Sequence, residues 1–372
     1  MGTGVTLEAG GPRTSDLTKA IFYGGTDDAR DANIRSFIGR MKCEVEKYYE
    51  KHSYPRVVSY EDVYEVIKEV ADSEIGQWDN PVVDAFVDRI KPKIIDMLNK
   101  CDMISEKEIE EGKFISVSSL CKDSLEYISN RLVEALKYTP VTDNKDAYLK
   151  IFVEADSDAR ISGVDIFSLN CDLLVESFFN RVNQKFRDGF GRHANCKIDV
   201  WQPQTFSAVN LIKLHGSIDW YHLQGLIGEP DLLARGTQDR PPECPANYRA
   251  IYDPVLLIGT FTKMLAYSSF PFTDLLCLFH QRLRVLNRLV ISGYSFGDQG
   301  INNQIMDWLW RGNEQNKIIV IHPDFANLTR VCRPAARSLL NGNESFYNGR
   351  VNRIPRRFEN VSWDLLREQV LG

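Results

Sequence analysis

The chain has 372 residues, of which 43% are hydrophobic and 26% are charged, and its formal net charge is −6. This length and composition are typical of a globular protein with a large core and two or three domains, and the negative charge argues against direct nucleic-acid binding. Eight cysteines without a Cys-x-x-Cys pair, no long apolar run and no signal-peptide core predict reduced thiols, a cytoplasmic location and no membrane contact.

The first 155 residues are predicted to contain a leader, a first strand and a long helical block. Residues 1–18 are expected to form a flexible leader. The run Lys19–Tyr23 ends at Gly24-Gly25-Thr26-Asp27-Asp28, which predicts a first strand and a glycine turn. From Asp31 onward, apolar residues recur every three or four positions, which is the helical period. We therefore predict a helical insertion at 31–155.

After residue 156, the pattern changes to alternating strands and helices. The predicted strands are 164–169, 196–201, 208–214, 255–259, 288–292 and 317–321, and the predicted helices are 174–186, 272–287, 301–311 and 325–340. The Gly- and Pro-rich stretch 223–250 is expected to be a surface loop. This spacing favours parallel βαβ units with helices on both faces. The expected fold is an α/β, Rossmann-like domain formed by 19–30 and 156–372.

Three polar motifs follow predicted strands. They are Ser168-Leu169-Asn170-Cys171-Asp172, Lys213-Leu214-His215-Gly216-Ser217 and Gly293-Tyr294-Ser295-Phe296-Gly297-Asp298. In open α/β sheets, ligands bind beyond the carboxyl ends of the strands. The three motifs, in this order along the chain, therefore predict one pocket that binds a nucleotide and acts on it.

Several residues in these motifs suit catalysis. His215 can take a proton near neutral pH, although a single histidine at a strand end is often structural. The amide of Asn170 offers a donor and an acceptor for a ribose hydroxyl or a water molecule. Asp172 has two compatible interpretations, a helix cap and a functional carboxylate. The glycine loop at 293–298 can present N–H groups to phosphate, and Asp324 can bind a ribose diol.

Taken together with Ile301-Asn302 and His322-Pro323-Asp324, these motifs resemble the sirtuin-like NAD-binding domain, and more closely its bacterial antiphage-defence branch. The resemblance covers residues 160–325. It implies that NAD⁺ is a substrate whose nicotinamide–ribose bond is cleaved, with Asn170 at the ribose, His215 as general base and Asp172 in the catalytic set. The cofactor-contacting residues that it implies are Gly24, Gly25, Thr26, Ser217, Gly293, Ser295, Asp298 and Asp324.

Two departures from the family affect this interpretation. The family's Gly-Ala-Gly-x-Ser loop has no clean copy at Gly24–Asp28, where two aspartates would repel a pyrophosphate. The four-cysteine zinc module of the protein deacylases is missing, so we expect no metal, and water rather than acyl-lysine as the acceptor.

The first hypothesis is an NAD⁺ glycohydrolase that depletes NAD⁺ in antiphage defence. Such an enzyme must be restrained, and the family suggests a homo-oligomer or a separate HerA-type hexameric ATPase as partner. The segment 311–372 has ten Lys and Arg against six Asp and Glu, which is typical of a solvated helical face; the alternative is a docking surface for an acidic partner in such an assembly. The alternatives are a non-catalytic NAD or ADP-ribose sensor or scaffold subunit and, less favoured, an NAD-dependent protein deacylase.

Overall fold

The structure is a computed structural model that describes residues 1–25, 29–53, 57–76, 81–100, 116–137, 145–193, 198–202, 209–259, 262–312, 315–341 and 349–372. The chain forms two compact units. The helical unit comprises Thr14–Ala135 and Ile258–Thr262, and the α/β unit comprises Met1–Arg13, Leu136–Leu257 and Lys263–Gly372. Among the described residues, no helix combines the length and the apolar character that a membrane span requires.

The helical unit is built from amphipathic helices. They span Thr14–Tyr23 (α1), Ala29–Lys51 (α2), Tyr60–Glu74 (α3), Pro81–Lys100 (α4) and Val117–Lys137 (α5). In α2, the apolar residues Ile34, Phe37, Ile38 and Met41 are buried, as the helical period predicts. The helical character predicted for this part of the chain is confirmed in the described ranges.

The predicted first strand is wrong, because residues 19–23 belong to helix α1. Leu17, Ile21 and Phe22 are the buried apolar residues of this helix, and their spacing of four and five positions is helical. The run Lys19–Tyr23 has a strand-like composition when it is considered alone, but with Leu17 included the apolar residues show helical spacing. Gly24 and Gly25 therefore follow a helix in the helical unit, and Thr26 lies outside the described residues.

The flexible leader predicted at 1–18 is also wrong. Met1–Arg13 belongs to the α/β unit, and α1 begins at Thr14 in the helical unit. Val5 and Ala9 are completely or almost completely buried in the apolar core of the α/β unit. A short 3-10 helix, Thr3–Val5, and the hydrogen-bonded turns that follow it supply the local structure of this segment.

The α/β unit contains parallel and antiparallel strands. They are Val164–Ser168 (β1), Phe190–Arg192 (β2), Asp199–Trp201 (β3), Val209–Lys213 (β4), Gly216–Gly225 (β5), Leu232–Arg235 (β6), Tyr248–Leu256 (β7), Arg288–Ser292 (β8), Lys317–Ile321 (β9) and Val351–Ile354 (β10). β1 and β4 form a parallel pair, and β8, β9 and β10 form a parallel sheet with β9 in the middle. The other five strands form an antiparallel sheet in the order β2-β3-β6-β5-β7.

Helices connect the strands of this unit and cover both faces of the parallel ones. They are Lys150–Asp156 (α6), Leu174–Arg181 (α7), Thr262–Ala266 (α8), Phe272–Val285 (α9), Gln299–Arg311 (α10), Phe325–Val331 (α11), Pro334–Leu340 (α12) and Trp363–Leu371 (α13). On β9, Ile318 and Val320 join a core cluster with α9 and α10, whereas Ile319 and Ile321 join one with α6, α7 and α13. Burial on both faces explains why this strand is continuously apolar.

The mixed α/β class is confirmed, but two local predictions are wrong. The expected surface loop at 223–250 contains the end of β5, all of β6 and part of β7, because Leu223 on β5 and Ala234 on β6 are buried in a small core on this antiparallel sheet. The helix expected at 325–340 is two helices, because Pro334 begins a new one after α11 ends at Val331.

The start of the chain hydrogen-bonds to both parallel sheets. The amino group of Met1 donates to Phe167 O at 2.7 Å, and Met1 O accepts from Leu169 N at 3.0 Å. Gly2 N donates to Ser292 O on β8 at 3.0 Å. Alternate residues thus bond to opposite neighbours, which is how a strand lies between two parallel strands.

Candidate functional site

The carboxyl ends of β1 and β4 bring Asn170 and His215 to the same sheet edge. Ser168 is the register partner of Lys213, and Asn170 and His215 each lie two residues beyond that pair. The thiol of Cys171 donates to His215 O at 3.4 Å, which ties the two turns together. The predicted grouping of the first two motifs is therefore present in the α/β unit.

His215 is held by an aspartate from the third motif. His215 Nε2 lies 2.9 Å from Asp298 Oδ2 and 3.1 Å from the Tyr267 hydroxyl. The Tyr267 hydroxyl donates to the same Asp298 oxygen at 2.9 Å. The other Asp298 oxygen accepts from Ile301 N at 3.1 Å and caps α10. Asp298, which was predicted to contact the cofactor, is thus a partner of His215.

Electrostatic interactions keep Asp298 ionised and the Tyr267 hydroxyl protonated. Burial works to raise the pKa of Asp298, but the hydrogen bond and charge of His215, with the charge of Lys263, outweigh it and hold that pKa well below its usual range. Burial and the Asp298 charge raise the pKa of Tyr267, so its phenol stays a donor. A carboxylate beside Nε2 favours the tautomer protonated there, which places the lone pair on Nδ1.

The side chain of Asn170 is buried without internal partners. It is 7% exposed, and neither its Oδ1 nor its Nδ2 has a hydrogen-bond partner within the described part of the chain. Its backbone N–H donates to Ser168 Oγ at 3.1 Å, which fixes the turn. A buried unpaired polar group costs about 1–3 kcal/mol. This amide is therefore the strongest candidate in the site for a group that binds a ligand.

Asp172 lies one residue ahead of the N-cap of α7, which is Leu173, and its side chain closes the turn that leads into the helix. Its Oδ1 accepts from Leu174 N at 3.0 Å, at the first residue of α7. The side chain is buried; burial raises the pKa of Asp172, and the charge of Lys213 opposes this shift. This bond occupies one oxygen only, so it does not conflict with the catalytic role also predicted for this residue.

Ser217 belongs to a buried polar cluster around Lys213. Lys213 Nζ donates to Ser217 Oγ at 2.9 Å and lies 2.7 Å from Glu176 Oε1. The Ser217 hydroxyl donates to Asp219 Oδ1 at 2.5 Å and has no exposed surface. Burial works to lower the pKa of Lys213, but Glu176, Asp219 and Asp172 together raise it, so the ammonium is retained. The contacts of Ser217 thus give no support to its predicted cofactor contact.

Gly293 allows the third motif to approach the start of the chain. Its φ is +66°, and a Cβ there would lie 2.5 Å from both Gly2 O and Val5 N. Gly4 N donates to Gly293 O at 3.0 Å. A glycine is therefore required by conformation and by space. Ser295, two residues further, is exposed at the same strand end.

The remaining predicted contacts lie in different surroundings. Asp324 follows β9, is exposed, and caps α11 by accepting from Asn327 N at 2.9 Å. Gly24 N donates to Ala20 O at 3.1 Å at the end of α1, and Gly25 follows it in the helical unit. These two glycines are thus not part of a strand-to-helix turn, and the prediction that they form one is wrong.

Sequence reasoning missed two parts of this site. The first part is the segment Gly2-Thr3-Gly4-Val5-Thr6, which lies at the carboxyl ends of β1 and β8. Its Gly-x-Gly-x-Thr spacing is a sequence signal for such a position, but the prediction of a flexible leader did not use it. The N–H groups of Gly2, Gly4 and Val5 are already bonded to backbone oxygens, so the segment offers close approach rather than a ready set of donors. Tyr267 carries no motif and could not have been selected from sequence.

Comparison with known proteins identifies no family for this chain. No protein-family model matches the chain, and no curated protein matches it significantly. Within the described ranges, no group of three or more His, Cys, Asp or Glu side chains is arranged to hold a metal ion.

Proposed function

We propose that the chain is an NAD⁺ glycohydrolase that cleaves the nicotinamide–ribose bond by attack of water. The observation that carries the proposal is an unpartnered, buried amide, Asn170, beside an aspartate-held histidine, His215, at neighbouring strand ends. A general base and a hydrogen-bonding amide are what water attack on a ribose carbon requires.

The same proposal includes a Rossmann-like sheet. If Met1–Gly2 is counted as a strand, the parallel strands follow the order β4-β1-(Met1–Gly2)-β8-β9-β10. In chain order this is 3-2-1-4-5-6, which is the arrangement of dinucleotide-binding sheets. The site residues then lie where the strand order reverses, and dinucleotides bind at that point.

In the proposed hydrolysis, Asn170, His215 and Asp298 would have separate roles. When the bond between ribose and nicotinamide breaks, its electron pair leaves with the neutral nicotinamide and the ribose carbon becomes an oxocarbenium ion. Asn170 holds a ribose hydroxyl or the water, and His215 takes the proton that the attacking water loses. The Asp298 carboxylate stabilises the imidazolium that results. The products are nicotinamide, ADP-ribose and a proton.

The dinucleotide would be held largely by close backbone approach. We assign this role to Gly2–Gly4 and Gly293, with Ser295 and Asp324 at the ends of β8 and β9, and not to Gly24–Thr26. Their positions at the proposed reversal of strand order support this assignment. Asp172 stays in the proposal through its hydrogen bond to Leu174 N, which supports the turn that carries Asn170.

The biological setting belongs to the proposal as well. Depletion of NAD⁺ is toxic to the cell that carries it out, so a role in antiphage defence would require restraint by assembly. The proposed assembly is a homo-oligomer or a complex with a HerA-type hexameric ATPase, and the excess of basic residues in 311–372 supports contact with an acidic partner surface.

Nicotinamide release from NAD⁺ tests the function. We expect turnover by the purified chain and at least a hundredfold loss in His215→Ala and in Asn170→Ala. Two matched controls, His280→Ala and Asn303→Ala, change a histidine and an asparagine outside the site and should retain the rate. Equal rates in all five proteins would contradict the assignment of the site.

The same experiment separates the alternatives. Saturable binding of NAD⁺ or ADP-ribose without nicotinamide release would favour a sensor or scaffold subunit. Nicotinamide release that depends on an added acetyl-lysine peptide would favour a deacylase. The anchored His215 supports the proposal of hydrolysis over a binding role, because binding alone does not need a base.

A further inference from the structure

The Arg333 side chain lies against the loop at residues 293–298, which follows β8 in the α/β unit. Its Nε donates to Gly297 O at 2.7 Å, and its backbone N–H donates to Phe296 O at 3.3 Å. Gly297 directly precedes Asp298, the carboxylate of the candidate site. These contacts place the guanidinium of Arg333 beside the third motif of the site.

The contacts of Arg333 hold one part of its guanidinium and leave the rest available to a ligand. The side chain is partly exposed, and its terminal nitrogens, Nη1 and Nη2, form no hydrogen bond or ion pair with the described residues. A guanidinium presents a planar fork of N–H groups that matches the oxygens of a phosphate or a carboxylate. Because Nε is already held, the fork of Arg333 is oriented before an anion arrives.

The loop beside Arg333 offers further hydrogen-bond donors. Ser295 and Gly297 are exposed, and their backbone N–H groups have no hydrogen-bond partner in the part of the chain that the structure describes. A Cβ on Gly297 would lie 3.4 Å from Ser295 Oγ, so this hydroxyl is close to the same loop residue. A guanidinium, a hydroxyl and backbone N–H groups are the donors that commonly bind phosphate oxygens.

The charges of the candidate site leave a need for such a cation. Asp298 is ionised, and Asp324 adds an exposed carboxylate at the end of β9. The N–H groups of Gly2 and Gly4 are already bonded to backbone oxygens. A dinucleotide brings a negatively charged diphosphate, which carboxylates repel. Arg333 supplies a positive charge at the same strand ends.

We propose that Arg333 binds the diphosphate of the dinucleotide, with Nη1 and Nη2 donating to phosphate oxygens while Nε stays on Gly297 O. This inference rests on the proposed function, which supplies the dinucleotide, and it adds a substrate-binding residue to that site. The phosphates do not change in the reaction, so Arg333 contributes equally to binding of the substrate and of the transition state. Its loss therefore raises KM and leaves kcat unchanged.

Titration calorimetry with ADP-ribose tests the proposal without requiring turnover. Arg333→Met removes the guanidinium, and Arg311→Met is the matched control, because Arg311 is an exposed arginine at the far end of α10. We expect Arg333→Met to weaken the binding of ADP-ribose about 10–100-fold and Arg311→Met to leave it unchanged. Arg333→Lys should bind with intermediate affinity, because it keeps the charge but not the fork. Equal dissociation constants in wild type and Arg333→Met, or no binding of ADP-ribose by wild type, would overturn the proposal.

Nicotinamide riboside separates diphosphate binding from a purely structural role of Arg333. This compound carries the same bond to nicotinamide but lacks the diphosphate. Arg333→Met should raise KM for NAD⁺ about 10–100-fold and should hydrolyse nicotinamide riboside at the wild-type rate. An equal loss with both substrates would show that Arg333 supports the loop alone, and would overturn the proposal. Binding of ADP-ribose that depends on Arg333, without release of nicotinamide by any variant, would contradict the hydrolysis and support the binding role.

Discussion

Replacement of Asp298 by Asn tests whether this carboxylate holds His215 for catalysis. Asn caps a helix as well as Asp does, so α10 should keep its capping bond. The change removes the charge 2.9 Å from His215 Nε2. A hydrogen bond to a charged group contributes about 1.5–3 kcal/mol, which corresponds to a loss of about 10–150-fold in kcat/KM.

The assay measures nicotinamide release and thermal unfolding on the same preparations. Asp298→Asn should lose rate with a smaller fall in Tm than Asp298→Ala. Both variants lose the carboxylate oxygen that accepts from Tyr267, but only Asp298→Ala also removes a cap worth about 0.5–2 kcal/mol. A full rate in Asp298→Asn would refute the positioning role, and an equal fall in Tm in the two variants would contradict the capping role.

The low pKa of Asp298 adds a prediction about pH. Because the folded pKa lies below the unfolded one, the stabilisation by this carboxylate is complete above the unfolded value of about 4 and is lost as pH falls through the folded value. Wild-type chain should therefore lose more stability than Asp298→Asn in acid unfolding below about pH 4. Parallel acid-unfolding curves would contradict this.

Three further changes probe the surroundings of the site. Asn170→Ala should leave Tm equal or higher while abolishing nicotinamide release, because an unpaired buried amide costs about 1–3 kcal/mol; a lower Tm would reveal a structural role. Gly293→Ala should lower the midpoint of urea unfolding more than Gly228→Ala, which also has positive φ but open space; equal midpoints would argue against the close approach. Lys213→Met should destabilise the fold by about 3–5 kcal/mol by leaving buried Glu176 without its cation, and Glu176→Gln in the same chain should restore part of it; purely additive losses in calorimetry would refute the coupling.

Much of the α/β unit could be predicted from local sequence pattern. β8, β9 and α10 lie where the apolar runs and the helical period placed them, because these segments are buried on the faces that their periodicity indicates. The polar residues after β1 and β4 could also be placed at one sheet edge, since parallel strands share their carboxyl ends.

Other features depend on contacts that a local pattern does not contain. Lys19–Tyr23 has the composition of a strand, and only the burial of Leu17 with Ile21 makes it a helix. The position of Gly2–Gly4 in the site follows from its backbone hydrogen bonds to Ser292 on β8 and to Gly293, which no local pattern contains. The contact of Asp298 with His215 joins residues 83 positions apart. Such a contact requires the tertiary fold.

The most direct test of the proposed hydrolysis is the fate of solvent oxygen. NAD⁺ is incubated with the purified chain in water enriched in the heavy oxygen isotope, and the products are analysed by mass spectrometry. We predict equal amounts of nicotinamide and ADP-ribose, with one solvent oxygen in each ADP-ribose and none formed by His215→Ala. Intact NAD⁺, or ADP-ribose without solvent oxygen, would contradict water attack at this site.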